Sequence, residues 1–158
     1  MTRQTVARWF GAAGVLFACG VAGLSAVPDA RPQAAPPAGA PCSDRTIRGD
    51  YGFSIDGTIL AGTPNAFLLR GVAMTHFDGE GGLTQVDFTT RNGAPFSPDW
   101  RSATGTYAIN PDCTGTATIV PSDGTPSVQL RLVVTDHGRQ IRTVVVGNAS
   151  GSVGIRAN

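Results

Sequence analysis

The 158 residues contain no lysine, a single glutamate (Glu80) and only two histidines, His76 and His137. Without lysine there is no Schiff-base chemistry and no lysine base. Neither histidine has a partner at metal-ligand spacing, so no zinc site and no other metal is expected. Charged residues make up only 15% of the chain. Across residues 43–158 nine Arg stand against nine Asp and one Glu, a net charge of −1. That leaves no basic face for nucleic acid. With one glutamate, no lysine and no long apolar run at 3.6-residue spacing, helices are not expected. A nucleophile elbow is missing as well. Ser150-Gly151-Ser152-Val153-Gly154 has serine where the first glycine of G-x-S-x-G belongs, and no strand-to-helix context surrounds it. No cofactor is expected.

The long apolar run that does occur is at the N-terminus. Arg3 and Arg8 precede a stretch from Trp9 to Val27 whose one polar interruption is Ser25. This is the layout of a secretory signal peptide, residues 1–27. A membrane anchor of the same length is the alternative, since the run is just long enough to cross a bilayer. Leu16-Phe17-Ala18-Cys19 also lies close to a lipobox, which would make Cys19 a lipidated N-terminus. Membrane contact is expected only through this segment or through Cys19. Residues 28–41 carry proline at 28, 32, 36, 37 and 41 and nothing that packs, so they read as an extended tether. The folded domain is residues 42–158, exported to the periplasm or secreted.

Export changes the cysteine arithmetic. With Cys19 removed or lipidated, Cys42 and Cys113 reach an oxidising compartment as an even pair, and a Cys42–Cys113 disulfide is predicted. Their spacing lacks the CxxC form of a redox or metal-binding thiol pair.

Strand signals recur at about 50–59, 67–77, 83–91, 103–110, 114–120, 127–135, 140–147 and 151–156. Turn chemistry separates them: Asp78-Gly79-Glu80-Gly81-Gly82, Asn110-Pro111-Asp112-Cys113, Asp136-His137-Gly138-Arg139 and Asn148-Ala149-Ser150-Gly151. The last also spells a glycosylation sequon, read as chance. Eight short sequential strands predict an all-β domain, an eight-stranded antiparallel up-and-down β-barrel, because closure removes the sheet edges. A two-sheet β-sandwich is the alternative. A barrel of this size is either filled by side chains or holds one small ligand.

Period-2 alternation selects the candidates for the interior. Tyr51, Phe53 and Ile55 share one face, as do Val86 and Phe88, Tyr107 and Ile109, and Leu130, Leu132 and Val134. Asp87 and Arg131 each sit between apolar neighbours and are read as outward and solvated. Strands 67–77 and 140–147 are apolar on both faces, which points to cover by the tether or a second copy, and so to a homo-oligomer. His76 beside Asp78 reads as a surface histidine next to a turn aspartate, and His137 as a solvated turn residue. Asp78 and Glu80 lack the EF-hand pattern and its closing glutamate, so their loop reads as a hairpin turn.

A G-x-Y echo links Gly49-Asp50-Tyr51 to Gly105-Thr106-Tyr107. Together with Phe77-Asp78-Gly79-Glu80-Gly81 and Asn110-Pro111-Asp112-Cys113-Thr114-Gly115-Thr116, these residues resemble a group of exported bacterial proteins without an assigned activity. The likeness covers nearly the whole domain. Its barrel is similar in kind to allene oxide cyclase and lipocalin-like barrels, which implies a cavity for an apolar small molecule. No motif of the plant cyclases is present, so no catalytic residue is carried over. The expected function is binding of a small lipophilic molecule or a cell-envelope accessory role, without catalysis. A cofactor-free cyclase or isomerase and a structural or adhesive module are the alternatives.

Overall fold

The computed structural model describes residues 39–60 and 62–158. The expected signal segment, Cys19 and all but the last three residues of the tether lie outside the described residues. Nine strands follow in chain order: β1 (Gly49–Ile59), β2 (Phe67–Phe77), β3 (Gly82–Arg91), β4 (Ala94–Pro95), β5 (Arg101–Ile109), β6 (Thr114–Pro121), β7 (Val128–Thr135), β8 (Gln140–Val145) and β9 (Ala149–Arg156). Each pairs antiparallel with the next along β1-β2-β3-β5-β6-β7-β8-β9, and β9 returns to β1 through Tyr51↔Arg156 and Phe53↔Gly154. The result is a closed eight-stranded antiparallel barrel with the short β4 added outside β3. Closure leaves one sheet, which rules out the sandwich.

The two ends of the barrel differ. At one end lie the β2–β3, β5–β6 and β7–β8 turns together with a 3₁₀ turn over Asp44–Ile47 that precedes β1. Ile47 is fully buried there, among Tyr51, Phe77, Leu83, Tyr107, Ile109, Val134 and Ile141. The rings interlock edge to face: Phe77 lies 4.9 Å from Tyr107 and 5.5 Å from Tyr51, both near perpendicular. Thus the 3₁₀ turn is a plug, pushed into the base by the chain segment before β1.

Polar bonds fix the plug in place. The Tyr51 hydroxyl donates to the Gly138 carbonyl. Tyr107 Oη accepts from the Gly79 N–H at 2.8 Å and donates to the Asp44 carbonyl at 3.3 Å, while Asp44 Oδ1 accepts from the Ile109 N–H at 2.7 Å. From β9, Arg156 lays its guanidinium 5.0 Å from the Tyr51 ring centroid and donates to the carbonyls of Thr46, Arg48 and Gly138. Gly138 is required here on two counts. It has φ of 82°, and a Cβ would strike the Thr46 carbonyl. The Cys42–Cys113 disulfide is formed, with Cα atoms 5.0 Å apart, and ties the chain two residues before the plug to the β5–β6 turn. Closing 71 residues of chain contributes about 4 kcal/mol on the loop-entropy account.

Both tyrosines of the chain belong to this sealed end, which makes them reporters of it. Burial raises the Tyr51 phenol above its ordinary 10.0, against the lowering pull of Arg156. Burial also raises Tyr107, against the N–H groups of Gly79 and Gly81. A raised folded pKa means that this contribution to stability is intact below about pH 10 and lost as pH climbs through the folded values. Tyrosinate absorbance is therefore expected to appear above pH 10 together with loss of near-UV circular dichroism. Ionisation of either tyrosine near pH 10 with the fold intact would contradict the sealed end.

Candidate functional site

Above the plug the barrel is not filled. Inward residues from all eight barrel strands enclose a cavity of about 410 Å³ that extends to the opposite end. Phe53, Ile55, Leu69, Ala73, Ile119, Val128, Leu130, Leu132, Ile141 and Val145 make its wall predominantly apolar. Gly154, paired with Phe53, lets that ring lie flat on the β9 backbone, where a Cβ would collide with it. At the rim, Phe96, Thr125 and Pro126 belong to the lining and are exposed, so the cavity reaches solvent there. The Asn92-Gly93 turn folds β4 back on β3, both turn residues having positive φ, and carries Phe96 against Phe67 at 5.8 Å. Arg91 caps the Phe67 ring from 4.3 Å.

One wall carries a continuous polar ladder. Arg101, the first residue of β5, donates from Nε and Nη2 to the Asp87 carboxylate at 3.1 and 3.3 Å. Its Nη1 donates to Asp123 at 3.3 Å and Thr125 at 3.4 Å in the β6–β7 turn. Deeper in, Gln85 donates from Nε2 to Asp87 at 3.1 Å and accepts from the Thr75 hydroxyl at 2.9 Å. Asp87 is only 3% exposed. Asp123 is held below the ordinary carboxylate range by the Thr125 hydroxyl and N–H, with Arg101 adding to the effect. Across the barrel, the hydroxyls of Thr143 on β8 and Ser152 on β9 bond to each other at 2.7 Å. The site is thus an apolar pocket with a fixed, internally neutralised ion pair in one wall and a hydroxyl pair in the other.

The interior candidates fall into three groups. Phe53, Ile55, Leu130 and Leu132 line the cavity. Tyr51, Tyr107, Ile109 and Val134 are buried in the cluster at the sealed end. Val86 and Phe88 are a correction: they point outward, Val86 being 43% exposed and Phe88 packing its ring 6.0 Å from Trp100. Asp87 is the same correction seen from the other side, since it points inward rather than to solvent. On β3 the inward set is Leu83, Gln85, Asp87 and Thr89, and the outward set pairs Val86 with Met74 and Phe88 with Val72 on β2. A strand alternates faces, so one wrong assignment inverts every residue on it.

Arg131 is exposed on the outer face. His76 bonds Asp50 at 2.7 Å, its cross-strand partner, rather than Asp78, and both side chains are exposed. Asp78 instead accepts from the N–H groups of Glu80 and Gly82, which lower its pKa and close the hairpin turn. His137 sits in the exposed β7–β8 turn with φ of 53°. Among the described residues no group of three or more His, Cys, Asp or Glu side chains is placed to hold a metal.

Arg101, Gln85, Thr75, Thr143 and Ser152 escape a reading of the sequence. The one local signal was Gln85 and Asp87 at i and i+2 in a strand, which is as compatible with a wet outer face as with a polar ladder inside. Comparison with known protein families, with curated proteins and with solved structures finds no match to this chain.

Removing one member of a buried ion pair leaves the other uncompensated, at a cost of about 3–5 kcal/mol. Arg101→Met is expected to lower unfolding free energy by that order in urea titrations, and adding Asp87→Leu in the same chain to restore most of it. A loss below about 0.5 kcal/mol for Arg101→Met, the level of an ordinary surface change, would show that the two residues do not act as a unit.

Proposed function

We propose that this domain is a carrier for a small lipophilic molecule, received through the open end of the barrel. The observation that carries the reading is the apolar cavity of about 410 Å³, sealed below by the plug and reaching solvent above. Ligand sites are of this kind: concave, mostly apolar, with a few fixed polar groups, and typically 300–1,000 Å³. At about 30 Å³ per non-hydrogen atom, the share of one water in the liquid, the space takes roughly 14 such atoms. The setting is an exported one. The Cys42–Cys113 disulfide is compatible with an oxidising location, and the N-terminal apolar run supports export.

A second reading draws on the Asp87–Arg101 pair: cofactor-free cyclisation or isomerisation, in which the barrel folds a substrate against a fixed dipole. The similarity in kind to allene oxide cyclase barrels belongs to this reading, and fold-level likeness is weak support for an activity.

Incubation with a mixture of lipids and terpenoids, followed by native mass spectrometry, is expected to retain a compound of modest size at one per chain. Ile55→Trp, which fills the cavity from β1, is expected to abolish retention while the circular dichroism spectrum is kept. Absence of any retained compound, together with failure to bind an apolar fluorescent dye, would sink the carrier reading. Release of the retained compound as an isomer of the one supplied would decide for the cyclase or isomerase.

A further inference from the structure

Resting on the carrier reading, we propose that the cavity selects neutral molecules bearing a hydroxyl or carbonyl oxygen and rejects fatty-acid carboxylates of the same length. Charge and donor count both favour a neutral ligand. Arg101 is the one cation of the polar ladder, and two aspartates already claim it. Asp87 takes Nε and one Nη2 hydrogen, and Asp123 takes Nη1, which Thr125 also engages. With Arg101 against Asp87 and Asp123, the ladder carries a net charge of −1. An entering carboxylate would therefore meet no unpaired positive charge, and it would lose its water to an apolar wall.

A neutral oxygen is a better fit. Arg101 has a second Nη2 hydrogen and Gln85 a second Nε2 hydrogen for which the described residues supply no acceptor. Both residues line the cavity. These two N–H groups can donate to a carbonyl or hydroxyl oxygen without disturbing the ion pair. The Gln85 carbonyl oxygen, which among the described residues accepts from Thr75 alone, keeps a lone pair for a ligand hydroxyl. The ladder therefore offers what an alcohol or ketone needs and withholds the counter-charge that an acid needs. A simple greasy pore would also disfavour the acid through desolvation, but its preference would not respond to the charge at Asp123 or Asp87, and an unpaired arginine would reverse the preference.

Decanol and decanoate, matched in chain length and small enough for the cavity, test the selection in calorimetric titrations of the purified protein at pH 7. Decanol is expected to bind at least about ten-fold tighter, the discrimination that an uncompensated charge in an apolar site imposes. Asp123→Asn can keep the turn's bonds from Thr125 to Oδ1, gives up the acceptor for Arg101 Nη1, and brings the ladder to zero net charge. It is expected to raise the decanoate-to-decanol affinity ratio several-fold. Asp87→Asn is expected to raise it further, and the Asp123 variant answers the question alone if the buried change prevents folding. Decanoate binding as tightly as decanol, or a ratio unmoved in folded Asp123→Asn, overturns the selection and leaves the carrier reading standing. Binding of neither probe, nor of the dye, removes both.

Discussion

One end of this barrel is sealed, and the rest of the structure depends on that seal. Eight strands enclose an interior that side chains can just fill or that can be left to a ligand. Here the two outcomes occur at opposite ends of one molecule. Arg156, close to the C-terminus, holds the carbonyls of Thr46 and Arg48 on one side and Gly138 on the other. Tyr51 meets Gly138 from inside. The guanidinium therefore joins the plug, the β7–β8 turn and the last strand. Without the plug, Ile47 would leave a hole in the base and the cavity would become a channel through the barrel. The disulfide acts on the same end, since Cys42 lies two residues before the plug and Cys113 sits in the β5–β6 turn.

Most of the architecture is local and was readable for that reason. The eight barrel strands lie within two residues of where alternation and turn residues put them, because period-2 patterning and Gly/Asn/Asp turns act over a few residues. The disulfide was readable because setting Cys19 aside with the expected signal segment leaves Cys42 and Cys113 as a pair. What depends on partners distant in sequence was not readable. Asp87 points inward because Arg101, fourteen residues later and opposite it on β5, neutralises it there. Nothing within β3 says so: a strand reading Val86-Asp87-Phe88 looks like an apolar face interrupted by a solvated acid. Asp44–Ile47 gave no sign of being a plug either, as four residues with one aliphatic side chain carry no periodicity.

The same inversion places apolar side chains outside. Val72 and Met74 on β2, at 50% and 45% exposure, meet Val86 and Phe88 across the β2–β3 pairing, and Val144 on β8 is 58% exposed. The expectation that β2 and β8 are apolar on both faces holds in part: Leu68, Val72, Met74 and Val144 face outward, but Arg70, His76 and Arg142 stand among them. These outward positions also explain how β3 misleads: its larger apolar side chains serve the outer surface, and its polar ones serve the pocket. Hydrophobicity within a strand does not identify the interior when the interior contains a satisfied polar network.

A dry, closed void of about 410 Å³ would cost on the order of 10 kcal/mol at about 24 cal/mol per Å³, as much as the whole stability of a typical domain. The barrel avoids that cost by opening the space at the rim, so that solvent or a ligand occupies it. Its frame must then hold without a packed centre. Three features supply the hold: the closed hydrogen-bond ladder, the covalent tie at Cys42–Cys113, and the plug with its interlocked rings. All the tight packing is gathered at the sealed end, and the polar ladder, not apolar contact, joins β3 to the β6–β7 turn at the rim. A fold stabilised only for its own sake would do better with aliphatic residues at Asp87 and Arg101 and with a larger one at Ala73, because a buried ion pair seldom outperforms well-packed hydrophobic side chains. A small residue and an ion pair at these positions make sense as provision for something other than the protein's own side chains.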